Sequence, residues 1–115
     1  MARSPDEIRA ENLRHWISTI PGITTLDRAE PRQRAKVAGV IQNVRIDPRE
    51  GRNLIEATII DGSGCELVVR LTGRTTLAGW RLGEGLIVEG TVADRDGVRL
   101  ILNPEWDLVA GPEHG

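Results

Sequence analysis

The chain has no tyrosine, no phenylalanine and a single cysteine, Cys65, among its 115 residues. Without tyrosine and phenylalanine it cannot be an RNA-recognition module that stacks bases on those rings, and a single-strand binder built on many aromatic platforms is disfavoured. One cysteine excludes an internal disulfide and a multi-cysteine zinc site. This cysteine usage is typical of a cytoplasmic protein.

Long apolar runs and an excess of positive charge are also missing. The longest apolar runs are four or five residues, so we expect no membrane-spanning segment and no membrane partner. The residues from Met1 to Glu7 lack an apolar stretch and turn acidic early, so we expect no signal peptide. The net charge of −2 argues against binding to polyanions through bulk positive charge.

Catalytic and cofactor signals are equally sparse. His15 and His114 have no cysteine or aspartate neighbours at the spacing of metal ligands. The glycines at 79, 83 and 85 lack the lysine and the strand-to-helix context of a phosphate-binding loop. We therefore expect no metal, no cofactor and no enzymatic activity.

An N-terminal helix is the first element that the sequence does contain. Ser4 is a good N-cap, Pro5 suits the first helical position, and Glu7 completes a capping box, which predicts a helix over 4–19. One side of this helix is apolar, and its residues follow helical spacing. They are Leu13, Trp16, Ile17 and Ile20.

After Pro31 the spacing of the apolar residues changes from about 3.6 residues, which is typical of a helix, to 2 residues, which predicts strands. A phase slip between Ile41 and Val44 predicts a β-bulge in the first strand. Tight hairpins are predicted at Asp61–Gly64 and Asp94–Gly97. The predicted strands are 34–47, 53–61, 65–71, 85–94 and 98–103. The predicted divisions are an N-terminal helix and connector at 1–31, a barrel at 32–109 and a flexible tail at 110–115.

The segment between the third and fourth strands breaks the strand period. Its apolar residues Leu77, Trp80 and Leu82 are predicted to plug the barrel. For Trp80 a second interpretation stays open, because an indole near the surface could stack on a base.

Five strands in the order long strand, hairpin, connector, hairpin have the layout of a Greek-key barrel. Four segments of this chain resemble an OB-fold of the nucleic-acid-binding type: Val37–Ile41, Ala57–Gly64, Leu86–Val92 and Leu102–Trp106. They are similar to the anticodon-binding barrels of some tRNA synthetases and to the wedge domain of branch-migrating DNA helicases. The chain most resembles small stand-alone bacterial OB-fold nucleic-acid-binding proteins. The resemblance implies a mainly β protein, a five-stranded OB-fold barrel preceded by an N-terminal α-helix.

In OB-folds the ligand face is the outer surface of strands two and three, flanked by the loops joining strands one to two and four to five. Seven arginines and one threonine occupy those places here, and guanidinium groups spaced along a groove suit phosphates. They are Arg45, Arg49, Arg52, Thr58, Arg70, Arg74, Arg95 and Arg99. In the alternative interpretation these arginines only pair with neighbouring surface acids. Those acids are Asp47, Glu50, Glu56, Asp94 and Asp96.

Two functions are consistent with this pattern. The first is a non-catalytic module that binds single-stranded or structured DNA or RNA through arginine–phosphate contacts. The predicted barrel holds 11 basic and 11 acidic residues, so its binding should be weak and salt-dependent. The second is a protein-interaction or assembly module, in which the N-terminal helix, or the outward Ile60, Val68 and Ile87, contacts a partner or a second copy of the chain.

Overall fold

One helix, one short 3₁₀ turn and six strands make up the residues described by this computed structural model, which are 3–47, 54–73 and 79–112. The helix α1 spans Pro5–Ser18 and the 3₁₀ turn spans Leu26–Arg28. The strands are β1 Arg34–Asp47, β2 Leu54–Ile60, β3 Glu66–Thr72, β4 Gly85–Arg95, β5 Val98–Leu102 and β6 Glu105–Val109.

The first five strands form a closed ring. β1 pairs with β2, β2 with β3 and β4 with β5 in antiparallel fashion. Parallel pairing of β3 with β5 and antiparallel pairing of β4 with β1 complete the circle. β6 lies outside the ring, on the free side of β4. The predicted mainly β, five-stranded Greek-key OB-fold barrel with a preceding helix is confirmed.

β1 pairs with β4 along its first half and with β2 along its second half, and it contains a bulge within the part that pairs with β2. Ile41 lies opposite Ile59, but Asn43 lies opposite Thr58, so Gln42 is the extra residue. The predicted bulge is therefore confirmed at the phase slip. Gly39 sits just before it, where a Cβ atom would lie only 2.7 Å from the Ile60 carbonyl oxygen. A larger residue would push β1 and β2 apart at this bend.

The helix begins as its sequence predicts, with the Ser4 hydroxyl oxygen accepting a hydrogen bond from the Glu7 backbone N–H at 3.2 Å. Its apolar side packs on the barrel, so Leu13 and Ile17 are buried within one chain. A side chain at Gly62 would collide with the backbone of α1. None of the described helical segments has the length and apolar character needed to cross a membrane.

The connector between α1 and β1 also supplies core residues. Leu26 and Ala29 are buried among the barrel side chains. The buried carboxylate of Asp61 holds the 3₁₀ turn in place, because it accepts hydrogen bonds from the backbone N–H groups of Leu26, at 2.8 Å, and Ser63, at 3.0 Å. The core thus extends beyond the strands into a segment that the sequence assigned to a connector.

The segment before β4 contributes Trp80 to the core of the barrel. Trp80 is only 6% exposed and its ring meets that of Trp106 edge to face, with centroids 5.5 Å apart. Trp80 is therefore a core residue. The prediction for Leu82 is wrong, since its side chain is 65% exposed. The neighbouring Gly83 N–H donates to the Ile41 carbonyl at 2.9 Å, which fixes the chain with Leu82 outside. Leu77 lies outside the described residues.

The first residues after β6 pack against the body of the protein. Gly111 is buried, and a Cβ atom there would lie 2.7 Å from the Gly83 carbonyl oxygen. The rest of the predicted tail, residues 113–115, lies outside the described residues.

Candidate functional site

Three charged side chains form a row across β1, β2 and β3. Arg45 lies opposite Glu56, and Glu56 lies opposite Arg70 on its other side. The Arg45 Nη2 donates to Glu56 Oε1 at 2.5 Å, and the Arg70 Nη2 donates to Glu56 Oε2 at 3.3 Å. Strand alternation explains the row, because Ile55 and Ala57 face the core and turn Glu56 to the outer surface.

The row carries one net positive charge. Burial of the Glu56 carboxyl acts to raise its pKa, but the hydrogen bonds and charges of Arg45 and Arg70 outweigh it, so the pKa of Glu56 is lowered. The carboxylate is only 13% exposed, whereas the Arg45 side chain is 65% exposed. A guanidinium has five N–H donors, so both arginines keep donors that Glu56 does not use. One of them, the Arg70 Nε–H, is buried without a partner among the described residues.

A groove of about 590 Å³ continues this outer face along β2 and β3. Thr58 and Val68 form part of its lining, one pleat along from Glu56 and Arg70. The hairpin between β4 and β5 contributes Arg99. The groove therefore lies where an OB-fold presents its ligand face.

The β4–β5 hairpin that borders the groove has a tight two-residue turn. Asp96 and Gly97 have φ angles of 55° and 81°, the left-handed pair that a type I′ turn requires. The Asp94 carboxylate accepts a hydrogen bond from the Gly97 N–H at 3.0 Å. Arg95 is exposed beside this turn, opposite Val98. The predicted hairpin at Asp94–Gly97 is confirmed.

The Arg99 guanidinium has a backbone partner. Its Nη1 donates to the Leu26 carbonyl oxygen at 2.6 Å. Arg99 thus ties β5 to the 3₁₀ turn while it also lines the groove.

The structure brings three of the eight predicted site residues onto one face: Arg45, Thr58 and Arg70. Arg99 and Arg95 lie at the border of this face, on the β4–β5 hairpin. The other three candidates, Arg49, Arg52 and Arg74, lie outside the described residues, and all eight remain predictions.

Sequence reasoning missed how central Glu56 is, since it counted Glu56 only among the acids near the arginines. The hairpin register would have revealed it, because Glu56 faces Arg45 once β1 and β2 are paired. Asn103 was also missed. Its N–H donates to the Arg70 carbonyl oxygen at 2.7 Å and its Oδ1 accepts from the Thr72 N–H at 2.9 Å, which fixes the end of β3. The signal was the Asn-Pro pair after β5.

The row of Arg45, Glu56 and Arg70 is better suited to binding an anion than to catalysing a reaction. Guanidinium groups present several N–H donors to oxyanions such as phosphate. Glu56 is held in its ionised form, so it has no proton to donate at neutral pH. Over residues 3–47, 54–73 and 79–112, no group of three or more histidine, cysteine, aspartate or glutamate side chains could hold a metal ion.

Comparison with known proteins supports the fold. No protein-family model matches the chain, and no curated protein matches it. A chain in the structure of RecG bound to a three-way DNA junction is similar, with a TM-score of 0.64 and 21% identity over 78% of this chain and 13% of that one. A chain of the S. pombe Stn1–Ten1 complex is similar with a TM-score of 0.53 and 19% identity, over 70% of this chain and 60% of that one. This chain therefore spans a small part of the first and about three fifths of the second, and what it shares with both is the OB-type barrel.

Proposed function

We propose that the chain is a nucleic-acid-binding OB module that holds single-stranded or structured DNA or RNA on the outer face of β2 and β3. The phosphates contact the guanidinium groups of Arg45 and Arg70, and the strand continues along the groove past Thr58. Binding is weak and depends strongly on salt, because the contacts are few and largely electrostatic.

The observation that carries this proposal is the row of Arg45, Glu56 and Arg70. Two guanidinium groups share one carboxylate there, so a positive charge and several N–H donors remain for a ligand. The groove beside the row supplies a path for the rest of a strand. The similar barrel in RecG belongs to a protein solved with a DNA junction, which favours nucleic acid as the ligand class.

We further propose that the module is non-catalytic and acts in the bacterial cytoplasm. The absence of catalysis is inferred from the site, where the only carboxylate in the row is held ionised by two arginines. The cytoplasm is inferred from the single cysteine, and the bacterial origin from the resemblance of the sequence to small stand-alone bacterial barrels.

The test is a titration of a labelled oligothymidylate of about 15 nucleotides, a length within the site sizes of OB-folds. Fluorescence anisotropy is recorded between about 50 and 200 mM salt. The variant R45A/R70A is expected to weaken binding at least about tenfold at the low salt, because each lost charged hydrogen bond contributes on that order. Its salt slope should fall by roughly 1.4, the value for two phosphate contacts to a single strand.

A matched control is R3A/R34A. Arg3 and Arg34 are also paired with acids, Glu11 and Glu89, but Arg3 precedes α1 and Arg34 lies where β1 pairs with β4. This control removes the same charge and should change binding less than about threefold. No binding by the unmodified protein at low salt, or equal losses in both double variants, would refute the proposal.

A protein-interaction module is the second candidate, and exposed apolar residues on β5 favour it. Val98 and Leu102 are both about half exposed, whereas the helix face is largely occupied, with Leu13 and Ile17 buried against the barrel. Sedimentation velocity tests this candidate. A dimer that V98S/L102S converts to a monomer would support it, and a monomer at every concentration would contradict self-assembly.

A further inference from the structure

We propose that Glu56 is a built-in competitor for phosphate, which keeps the arginine row self-paired until a ligand displaces its carboxylate. The inference rests on the proposed function and concerns the regulation of the same site. It makes Glu56 the residue that sets how weakly the module binds.

The geometry of the row supports this role. A carboxylate and a phosphate use the same guanidinium donors, because both present oxygens at a distance that suits the guanidinium N–H groups. The two oxygens of Glu56 each accept one hydrogen bond, so a single carboxylate links Arg45 on β1 with Arg70 on β3. A phosphate that approaches these arginines therefore competes with a carboxylate that already occupies one Nη2 donor of each.

The position of Glu56 makes the competition effective. The side chain is only 13% exposed, and it stands on β2 between its two partners, directly opposite both in register. An acid held in this way is always present at the site. An exposed and mobile acid would be partly screened by salt. The other charged side chains that face it within the described strands are those of Arg45 and Arg70.

The two arginines contribute differently to the exchange. Arg45 is largely exposed and has freedom to turn from Glu56 toward a ligand, whereas Arg70 is less than a third exposed. Arg70 also holds a buried Nε–H without a partner among the described residues. We infer that Arg70 stays in place with Glu56 and that Arg45 is the arm that exchanges carboxylate for phosphate.

The test compares E56Q with the unmodified protein in the same oligothymidylate titration. The amide keeps the size of the side chain, removes its charge and leaves one oxygen to accept from one arginine. E56Q is expected to bind about three- to tenfold more tightly at low salt, since a nearby repulsive charge has gone and Arg45 is released. Circular dichroism and urea unfolding test whether E56Q is folded at the assay temperature.

E89Q is the matched control. Glu89 is also paired with an arginine, Arg34, but on β4 and away from the row. E89Q makes the same change in net charge and should stay within about twofold of the unmodified protein. If E89Q tightens binding as much as E56Q, net charge alone explains the gain and the inference fails.

The outcomes separate this inference from the proposed function. If the unmodified protein binds, R45A/R70A weakens binding, and E56Q binds no more tightly, the module stands and Glu56 is not a competitor. If neither the unmodified protein nor E56Q binds at low salt, the proposed function fails, and this inference fails with it. If E56Q is unfolded, E56A is measured in its place at lower temperature, with the same expected gain.

Discussion

Replacing Asp61 by alanine tests whether a buried carboxylate in a hairpin loop fixes the connector on the barrel. Asp61 is 1% exposed, and its two oxygens accept hydrogen bonds from the backbone N–H groups of Leu26 and Ser63. D61A removes both acceptors and leaves the buried Leu26 N–H without a partner. The loss of a charged hydrogen bond with a buried donor costs about 1.5–3 kcal/mol, and the less buried Ser63 N–H adds less. We expect D61A to lower the free energy of unfolding by about 2–4 kcal/mol.

That loss is large beside the total stability of a small domain, which is about 5–15 kcal/mol. Urea unfolding followed by circular dichroism measures it, with an unchanged slope as the sign that only stability has changed. L26A should lose a similar amount, about 2–5 kcal/mol, because it empties the buried position that Asp61 holds in place. E66A, at an exposed acid on the adjoining strand, should stay within about 0.5 kcal/mol. A D61A variant as stable as E66A would refute the reasoning.

Three further predictions concern the bend, the arginine row and the core. G39A should lower stability by about 1–3 kcal/mol in the same unfolding assay, because its Cβ would press on the Ile60 carbonyl; a change below about 0.5 kcal/mol would contradict this. Since the pKa of Glu56 is lowered on folding, its carboxylate contributes its full stabilisation above the ordinary glutamate pKa of about 4.3. The stability difference between the unmodified protein and E56Q should therefore stay constant near neutral pH and shrink as the pH falls below about 4.3, and a difference that does not change with pH would contradict this. W80F should leave oligothymidylate affinity within about twofold, because its indole lies in the core, and a tenfold loss would favour stacking on a base instead.

Much of the barrel could be predicted because each strand has one buried and one outer face. Alternation alone identified inward residues such as Ile55, Ala57 and Ile59, and all three are in the core. The bulge was predictable for the same reason, since an added residue reverses the alternation. These signals are local, so they require no knowledge of which strands pair.

Other features depended on contacts between distant parts of the chain. Leu26 lies in a three-residue turn, which is too short to show a period, and its burial follows from a hydrogen bond to Asp61, 35 residues away. Leu82 resembled a core residue by type alone. In the candidate site, the residue types and the possibility of arginine–acid pairs were predictable. That one acid is shared by two arginines was not, because Glu56 acquires both partners only when β1, β2 and β3 lie side by side.

The closure of the ring also has a kinetic consequence. β1 completes its pairing only when it lies beside β4, with Lys36 opposite Glu89, and β3 completes its pairing only when it lies beside β5, with Val69 opposite Ile101. Such non-local pairings must overcome a large loss of chain entropy before they gain any stabilising contact, and β-rich domains of this kind fold in about milliseconds to seconds. During synthesis the first three strands must therefore wait, with their apolar faces only partly covered, until the last hairpin has left the ribosome.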